Sequence, residues 1–309
     1  MDLYPASEFS LEELTEAYNQ TRADYLIPMP MNSVRMQEYI LLYDIDLARS
    51  RVAVVDGAIV GLGMLGLRPE MGWLTRLGVL AEGRRQGVGN AILQALLDEA
   101  RHIGLPVVWL EVILGNLPAH ELFIKHHFRT TRELIVARRS PTAERTMTAV
   151  TAARKIHYLQ HDEAIDLHCR RGERMNWLTS IDTMRNVRRL SNAAALGDYE
   201  QGMPQEMPHL SGIWIEFNDG SQGWVTYMAT SYQLKNISVE VVRGDATRTT
   251  ANLLEFMHRL HTAQDAIVEN IPDDARWQGY HQAGYFEVFR RIEMVCDLSA
   301  YSNNASYGG

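Results

Sequence analysis

The segment that most constrains the fold is a strand, a glycine-rich loop and an amphipathic helix in direct succession. The strand is predicted over "GWLTRLGVL" and the loop over "AEGRRQGVG". The apolar residues that follow at helical spacing are Ile92, Leu93, Leu96, Leu97 and Ala100. Gly87 and Gly89 leave the backbone amides open at the positive end of the helix dipole, and Arg84 and Arg85 add charge. The pattern predicts either a phosphate-binding loop or a solvated basic turn.

The elements around this segment follow an α/β order. Ser10 and Glu13 form a capping-box pattern that begins a helix, and a second helical pattern follows it. Asp56-Gly57 separates two apolar runs and predicts a hairpin. The remaining pattern is strand, helix, strand, helix, strand. The glycines at 61, 63 and 66 spell G-x-G-x-x-G but open no helix, so we interpret them as strand packing and not as a dinucleotide site. The loop before the helix lacks the GK[ST] ending of nucleotide-triphosphate loops.

Composition excludes several classes of function. The chain of 309 residues has 38 acidic against 30 basic side chains, which argues against a nucleic-acid partner. It has no apolar run long enough to span a membrane and no signal-peptide pattern, so no membrane association is expected. Two distant cysteines favour a reducing compartment, and we predict a cytoplasmic protein. The pairs His157/His161 and His258/His261 lack further ligands, so we expect solvated helix faces and no metal.

The second half of the chain repeats the order of the first. Asp219-Gly220 matches the first hairpin turn, "ISVEVV" matches "TRLGVL", and "TANLLEFMHRL" matches the helix after the loop. The second copy has no G-x-G there, so we interpret it as degenerate; its Tyr280 is interpreted as a core residue. The predicted organisation is a domain at 1–140, a linker at 141–155, a degenerate domain at 156–300 and a tail at 301–309.

Residues 5–140 resemble the GNAT superfamily of N-acetyltransferases. The resemblance rests on the loop with Arg84, Gly87 and Gly89, on the strand ending "LGV", and on the stretch "LEVILGNLPAHELFIKHHF". It implies two tandem GNAT-like α/β domains, each a mixed central sheet flanked by helices. It also implies that the first domain binds acetyl-CoA. The residues it assigns to that donor are Leu77, Gly78, Val79, Arg84, Arg85, Gln86, Gly87, Val88, Gly89, Asn90, Asn116 and Phe123.

The resemblance implies acetyl transfer to an amine and suggests residues for it. Glu111 matches a glutamate that accepts the amine proton in some relatives, although it is equally explained as a structural strand residue. Phe123 stands where many relatives have a tyrosine that protonates the leaving sulfur. We therefore consider neighbouring histidines, and His127 is the candidate acid. Tyr25 and Met29 are expected to contact the acceptor.

The preferred interpretation is an N-acetyltransferase that acts on a primary amine of a small molecule or peptide by direct attack in a ternary complex. Phe123 keeps open a second interpretation, a non-catalytic acyl-CoA-binding or regulatory protein. Two structural domains without a ligand are disfavoured by the intact loop. The identity of the amine and the oligomeric state cannot be inferred from the sequence.

Overall fold

The computed structural model describes residues 1–141, 151–171, 176–195 and 209–299. The helices within these ranges are α1 (Leu11–Thr21), α2 (Ser33–Leu42), α3 (Val88–His102), α4 (Leu117–Lys125), α5 (His161–Cys169), α6 (Ile181–Ala195), α7 (Ala246–Leu260) and α8 (Ala275–Gln282). The strands are β1 (Asp2–Pro5), β2 (Arg51–Val55), β3 (Ala58–Arg68), β4 (Met71–Val79), β5 (Val107–Ile113), β6 (Arg129–Arg139), β7 (Ala153–Leu159), β8 (Leu210–Phe217), β9 (Gln222–Ala229), β10 (Gln233–Arg243), β11 (Asp265–Pro272) and β12 (Phe286–Asp297).

The chain divides into two compact units with the same order of elements. Unit 1 contains residues 1–132 and 292–299; unit 2 contains the described residues between Glu133 and Arg291. From β1 to β6 and from β7 to β12 the order is strand, two helices, three strands, helix, strand, helix, strand. This repeat confirms the predicted fold class of two tandem α/β domains. The domain boundaries given above remain predictions, because residues 142–150 of the linker and the tail at 301–309 lie outside the described residues.

Unit 1 is built on a mixed sheet in the order β1-β2-β3-β4-β5, followed by the second part of β12 and the first part of β6. Neighbours pair antiparallel from β1 to β4, whereas β4 and β5 are parallel. Helix α3 packs its apolar face on this sheet, and its Ile92, Leu93, Leu96 and Leu97 are fully buried. Met294 and Cys296 of β12 belong to the same core. The strand between β5 and β6 is therefore supplied by the last strand of the chain.

Unit 2 has the order β7-β8-β9-β10-β11-β6, followed by the first part of β12. The second half of β6 pairs antiparallel with β11, for example at Leu134↔Pro272 and Ala137↔Val268. Ile135 and Ala137 lie in the core of this unit together with apolar residues of α7. Each unit therefore completes its sheet with a strand segment from the other half of the chain.

The local sequence signals for the first half are confirmed. The Ser10 side chain accepts from the Glu13 amide and the Glu13 carboxylate accepts from the Ser10 amide, which forms the predicted capping box at α1. Asp56 and Gly57 have φ angles of 50° and 81°, as a tight hairpin turn requires. Gly63 packs against α3, since a Cβ there would lie 2.8 Å from Ile92. Gly61 and Gly63 therefore allow α3 to pack closely on β3.

Candidate active site

The candidate site of unit 1 lies where β4 and β5 separate. The two strands pair at Gly72↔Val108 and Trp73↔Trp109 only. Beyond Trp73, β4 carries one residue more than its partner β3, and Arg76 at this bulge has φ +55°. A bulge bends a strand and increases its twist, so β4 turns away from β5. The gap opens into a cavity of about 690 Å³.

One end of the cavity is formed by the glycine-rich loop. Gly87 is the N-cap of α3, with φ +82°, and it offers no side chain to the first-turn amides. A Cβ at Gly87 would meet no atom within 4 Å, and one at Gly89 would be 3.4 Å from Val79. The amides of the first helical turn have no acceptor within the helix and carry the positive end of the dipole. The loop thus has room and polarity for a phosphate group.

Four of the described arginines line the cavity, and two of them, Arg84 and Arg22, donate to carbonyls of β4. Arg84 donates from Nε to the Val79 carbonyl at 3.1 Å and forms an ion pair with Asp24, Nη1 to Oδ2, at 2.5 Å. Arg22, which follows α1, donates to the Leu77 carbonyl at 3.1 Å. Burial lowers the pKa of Arg22, and the nearby Arg76 lowers it further. The β4 edge is thus flanked by guanidinium groups from two different parts of the chain.

The opposite end of the cavity places a carboxylate among aromatic side chains. Trp73 donates from Nε1 to Oε2 of Glu111 at 2.7 Å, which fixes the carboxylate at the cavity wall. The Tyr39 hydroxyl lies 2.6 Å from the Thr75 hydroxyl, and burial raises the pKa of Tyr39 to about 12. Arg76 lies 4.2 Å from the centre of the Tyr39 ring. This end therefore places the Glu111 carboxylate, a candidate proton acceptor, near the neutral phenol of Tyr39.

The cavity brings together most of the predicted site residues. Those that line it are Tyr25, Leu77, Gly78, Val79, Arg84, Arg85, Gly87, Val88, Gly89, Asn90, Glu111, Asn116 and Phe123. Gln86, Met29 and His127 do not line it. The Gln86 side chain turns back to donate to the Glu82 carbonyl at 2.7 Å, and the Met29 carbonyl accepts from Tyr18 at 3.0 Å. The lining residues that the sequence patterns did not single out include Arg22, Asp24, Thr75 and Arg76.

No histidine is among the described residues that line the cavity. His127 is exposed and follows the end of α4 in a left-handed conformation with φ +63°. His126 contacts Asn90 through its Nε2 at 3.0 Å but does not reach the lining itself. Phe123 does line the cavity, and its ring packs edge-on against Phe128 at 5.7 Å. The structure therefore gives no geometric support to His127 as the acid that replaces a tyrosine.

The corresponding cleft of unit 2 is closed. Strands β10 and β11 also pair only at their start, at Gln233↔Asp265 and Leu234↔Ala266. However, α7 and α8 are in direct contact there, since a Cβ on Gly279 would lie 2.5 Å from Cβ of Thr250. Helix α7 begins after Asp245, whose carboxylate accepts from the Arg248 amide and so occupies the N-terminus. Among the described residues of unit 2, the cleft between β10 and β11 therefore lacks both the space and the open helix N-terminus that define the site of unit 1.

The histidine pairs of unit 2 are not solvated helix faces, and that expectation is wrong. His258 is buried and its Nε2 lies 2.9 Å from the Tyr285 hydroxyl. His157 lies on β7 and not on a helix, with its Nε2 3.0 Å from Glu163. His161 and His261 are half-buried. No cluster of three or more potential metal ligands occurs among the residues that the structure describes.

The comparisons with known proteins agree with this geometry. Residues 12–128 match the sequence profile of the acetyltransferase (GNAT) family. A search of the curated proteins finds no significant match. In the described part of the chain, no helix is long and apolar enough to cross a membrane.

Solved structures share the fold over almost the whole chain. A GCN5-related N-acetyltransferase from Sphaerobacter thermophilus has a TM-score of 0.65 at 13% identity, and the match covers 96% of this chain and 95% of that one. A tandem GNAT protein from the clavulanic acid biosynthesis pathway has a TM-score of 0.64 at 13% identity, covering 96% and 98%. A GCN5-related N-acetyltransferase from Anabaena variabilis has a TM-score of 0.57 at 13% identity, covering 95% and 72%.

The match to the family profile, and not the fold alone, indicates an acyltransferase. Residues 12–128 belong to the GNAT acetyltransferase family, and the whole chain has the tandem form of the GNAT fold.

Proposed function

We propose that this protein is an N-acetyltransferase that transfers the acetyl group of acetyl-CoA to a primary amine. The observation that carries the proposal is the cavity of unit 1, which has an open anion-binding loop at one end and Glu111 at the other. A pyrophosphate suits the loop, and a neutral amine suits the carboxylate end. The acceptor is an amine of a small molecule or a peptide, as the family membership of residues 12–128 supports.

The acyl donor would be held by unit 1 alone. We assign its pyrophosphate to the amides from Arg85 to Asn90 and to the side chains of Arg84 and Arg85, and its pantetheine arm to the β4 edge at Leu77–Val79. Asn116, at the start of α4, and Phe123 would contact the arm from the opposite wall, since both line the same cavity. The closed cleft of unit 2 supports one donor site per chain.

The reaction follows from what the side chains can exchange. A protonated amine must lose a proton before its nitrogen can attack the thioester carbonyl, and we assign this proton to Glu111. The new C–N bond forms a tetrahedral intermediate, whose oxyanion would accept from backbone N–H groups of β4 at the bulge. The nitrogen then loses its second proton to water, the C–S bond breaks, and the thiolate of coenzyme A is released. Phe123 has no proton to give, and the described residues that line the cavity include no histidine, so we propose that water protonates the thiolate.

Phe123 also favours a second candidate, a protein that binds acyl-CoA without turnover. A positioned general acid contributes about 10²- to 10⁴-fold to a rate, so its loss is compatible with lost catalysis. The two candidates agree on the ligand and differ only in turnover. The predicted cytoplasmic location, supported by the unpaired Cys169 and Cys296, is common to both.

Release of the coenzyme A thiol from acetyl-CoA, measured across a panel of primary amines, tests the proposal. We expect turnover with at least one amine, and we expect Glu111→Gln to lower kcat by about 10²- to 10⁴-fold while acetyl-CoA binding is kept. Glu121→Gln is the matched control, because Glu121 lies on α4 outside the cavity lining. If acetyl-CoA binds tightly and no amine is acetylated, the binding protein is the correct interpretation. If acetyl-CoA does not bind, both candidates are wrong.

A further inference from the structure

The segment after α1 holds residues of the proposed donor site. We call residues 23–26 the latch. Both carboxylate oxygens of Asp24 accept from Arg84, Oδ2 from Nη1 at 2.5 Å and Oδ1 from Nη2 at 2.6 Å. These hydrogen bonds hold the pKa of Asp24 below its ordinary value. Carboxylates and phosphates bind the guanidinium fork in the same bidentate way. Asp24 therefore makes with Arg84 the contact that a phosphate group would make.

The latch also contacts the other wall of the cavity. The Tyr25 hydroxyl accepts from Nδ2 of Asn116 at 3.2 Å, and both residues line the cavity. Arg84 lies in the loop between β4 and α3, whereas Asn116 caps α4 after β5. Asp24 and Tyr25 thus contact donor-site residues that follow β4 and β5, the two strands that separate at the cavity. Leu26, at the end of the latch, is largely exposed and also lines the cavity.

Arg22, directly before the latch, is a fixed structural feature. It donates to the Leu77 carbonyl of β4 at 3.1 Å. In unit 2, Arg171 follows α5 and donates to the Val239 carbonyl of β10 at 3.3 Å. Unit 2 has no glycine-rich loop, yet it keeps this contact, so the contact serves to fasten the end of the helix to the sheet. The chain therefore has an anchored point from which the latch can open.

We propose that the latch is a built-in competitor of the acyl donor, in which Asp24 occupies the phosphate position on Arg84 and Tyr25 occupies Asn116 until the donor displaces them. This rests on the proposed donor site in unit 1. The side chains of Asp24 and Arg84 are 58% and 40% exposed, so the ion pair is screened by water and can open readily. The apparent affinity for the donor is then reduced by the fraction of molecules in which the latch is closed.

Calorimetric titration with coenzyme A at low salt tests the latch. Asp24→Asn removes the competing anion, and we expect binding about two- to fivefold tighter, the range measured for exposed ion pairs. Glu82→Gln is the matched control. Glu82 lies beside the same loop and its charge acts on Arg84, but it does not belong to the latch. We expect a smaller change for Glu82→Gln, because it removes a nearby charge without opening the latch.

Tyr25→Phe and amide exchange provide independent readouts. Tyr25→Phe removes only the hydroxyl that holds Asn116, and we expect it to speed association of coenzyme A in stopped-flow measurements. Coenzyme A should also accelerate hydrogen exchange of the amides at 23–26 in the unaltered protein. Tighter binding by Asp24→Asn together with faster exchange would support the latch.

The outcomes separate the latch from the proposed function. Weaker binding by Asp24→Asn would mean that Asp24 orients Arg84 for the ligand, and the latch would be wrong. If Asp24→Asn and Glu82→Gln increased the affinity for coenzyme A equally, the effect would be general charge repulsion, and the latch would again be wrong. If the protein transfers acetyl groups normally and Asp24→Asn does not change coenzyme A binding, the latch is wrong and the proposed function is unaffected. If the unaltered protein does not bind coenzyme A, the proposed function fails and the latch fails with it.

Discussion

A negative charge introduced at Gly87 should weaken phosphate binding by the loop without preventing the loop from folding. Gly87 has φ +82°, and a Cβ there meets no atom within 4 Å. Asn and Asp tolerate this left-handed conformation better than other side chains, so Gly87→Asp and Gly87→Asn should both fold. The charge of Asp beside the positive end of α3 should stabilise the free protein by about 0.3–1 kcal/mol relative to Asn. The same charge should oppose a bound pyrophosphate.

The size of this repulsion follows from Coulomb's law. A carboxylate about 6 Å from one phosphate charge is repelled by about 0.7 kcal/mol at the dielectric constant of water and by about 2.8 kcal/mol at an effective value of 20. We therefore expect Gly87→Asp to bind coenzyme A about 3- to 100-fold more weakly than Gly87→Asn. The two substitutions have the same shape, so backbone strain and steric contact cancel in this comparison.

Calorimetric Kd values at 0.1 M and 1 M salt, together with the Tm of each variant, give the measurement. The Debye length falls from about 10 Å to about 3 Å over this range, so most of the difference between the two variants should disappear at high salt. Equal Kd values for Gly87→Asp and Gly87→Asn at low salt would refute the assignment of the pyrophosphate to this loop. A loss of binding accompanied by a large drop in Tm of Gly87→Asp alone would show that the charge acts on folding.

Three further predictions concern catalysis and stability. Phe123→Tyr places a phenol in the cavity wall, and if water now protonates the thiolate, kcat should rise by at most about 10²- to 10⁴-fold; an unchanged kcat would show that this step is not limiting. His127 has φ +63° where the second copy has Gly284, so His127→Gly should stabilise by up to about 1 kcal/mol, seen as a higher Tm; a lower Tm would contradict this. Burial lowers the pKa of both His168 and His258 from 6.5 to about 3. Their folded-state pKa values lie below the unfolded ones, so the unfolding free energy should fall by about 1.4 kcal/mol per pH unit for each histidine as pH decreases from 6.5 towards 3, and a flat urea-denaturation profile over this range would contradict it.

The loop and its helix could be predicted because their signals are local. Gly87 and the apolar residues of α3 lie within a few positions of one another, and their spacing alone indicates an open helix N-terminus. The repeat of elements was likewise visible, since turn residues such as Asp219-Gly220 recur in the same order. The separation of β4 from β5, which opens the cavity, could not be predicted from such local signals. It depends on Arg76, a residue without glycine's freedom that nevertheless takes φ +55° at a bulge.

Contacts between distant residues account for the remaining differences. Asp24 and Arg84 are 60 positions apart, and neither residue type signals the other. His258 looked solvated because its partner Tyr285 lies 27 positions away, between α8 and β12. The strand that contains Met294 and Cys296 has the apolar pattern of a core strand in either unit. Such a pattern predicts burial but does not say which core receives the strand.

A crystal structure of the chain with coenzyme A tests the central claim most directly. We predict one molecule per chain, with its pyrophosphate on the amides of residues 85–90, its pantetheine arm along Leu77–Val79 and its sulfur on the side of the cavity that holds Glu111. In that structure Asp24 should no longer contact Arg84. Coenzyme A bound in unit 2, or bound outside the gap between β4 and β5, would contradict the account.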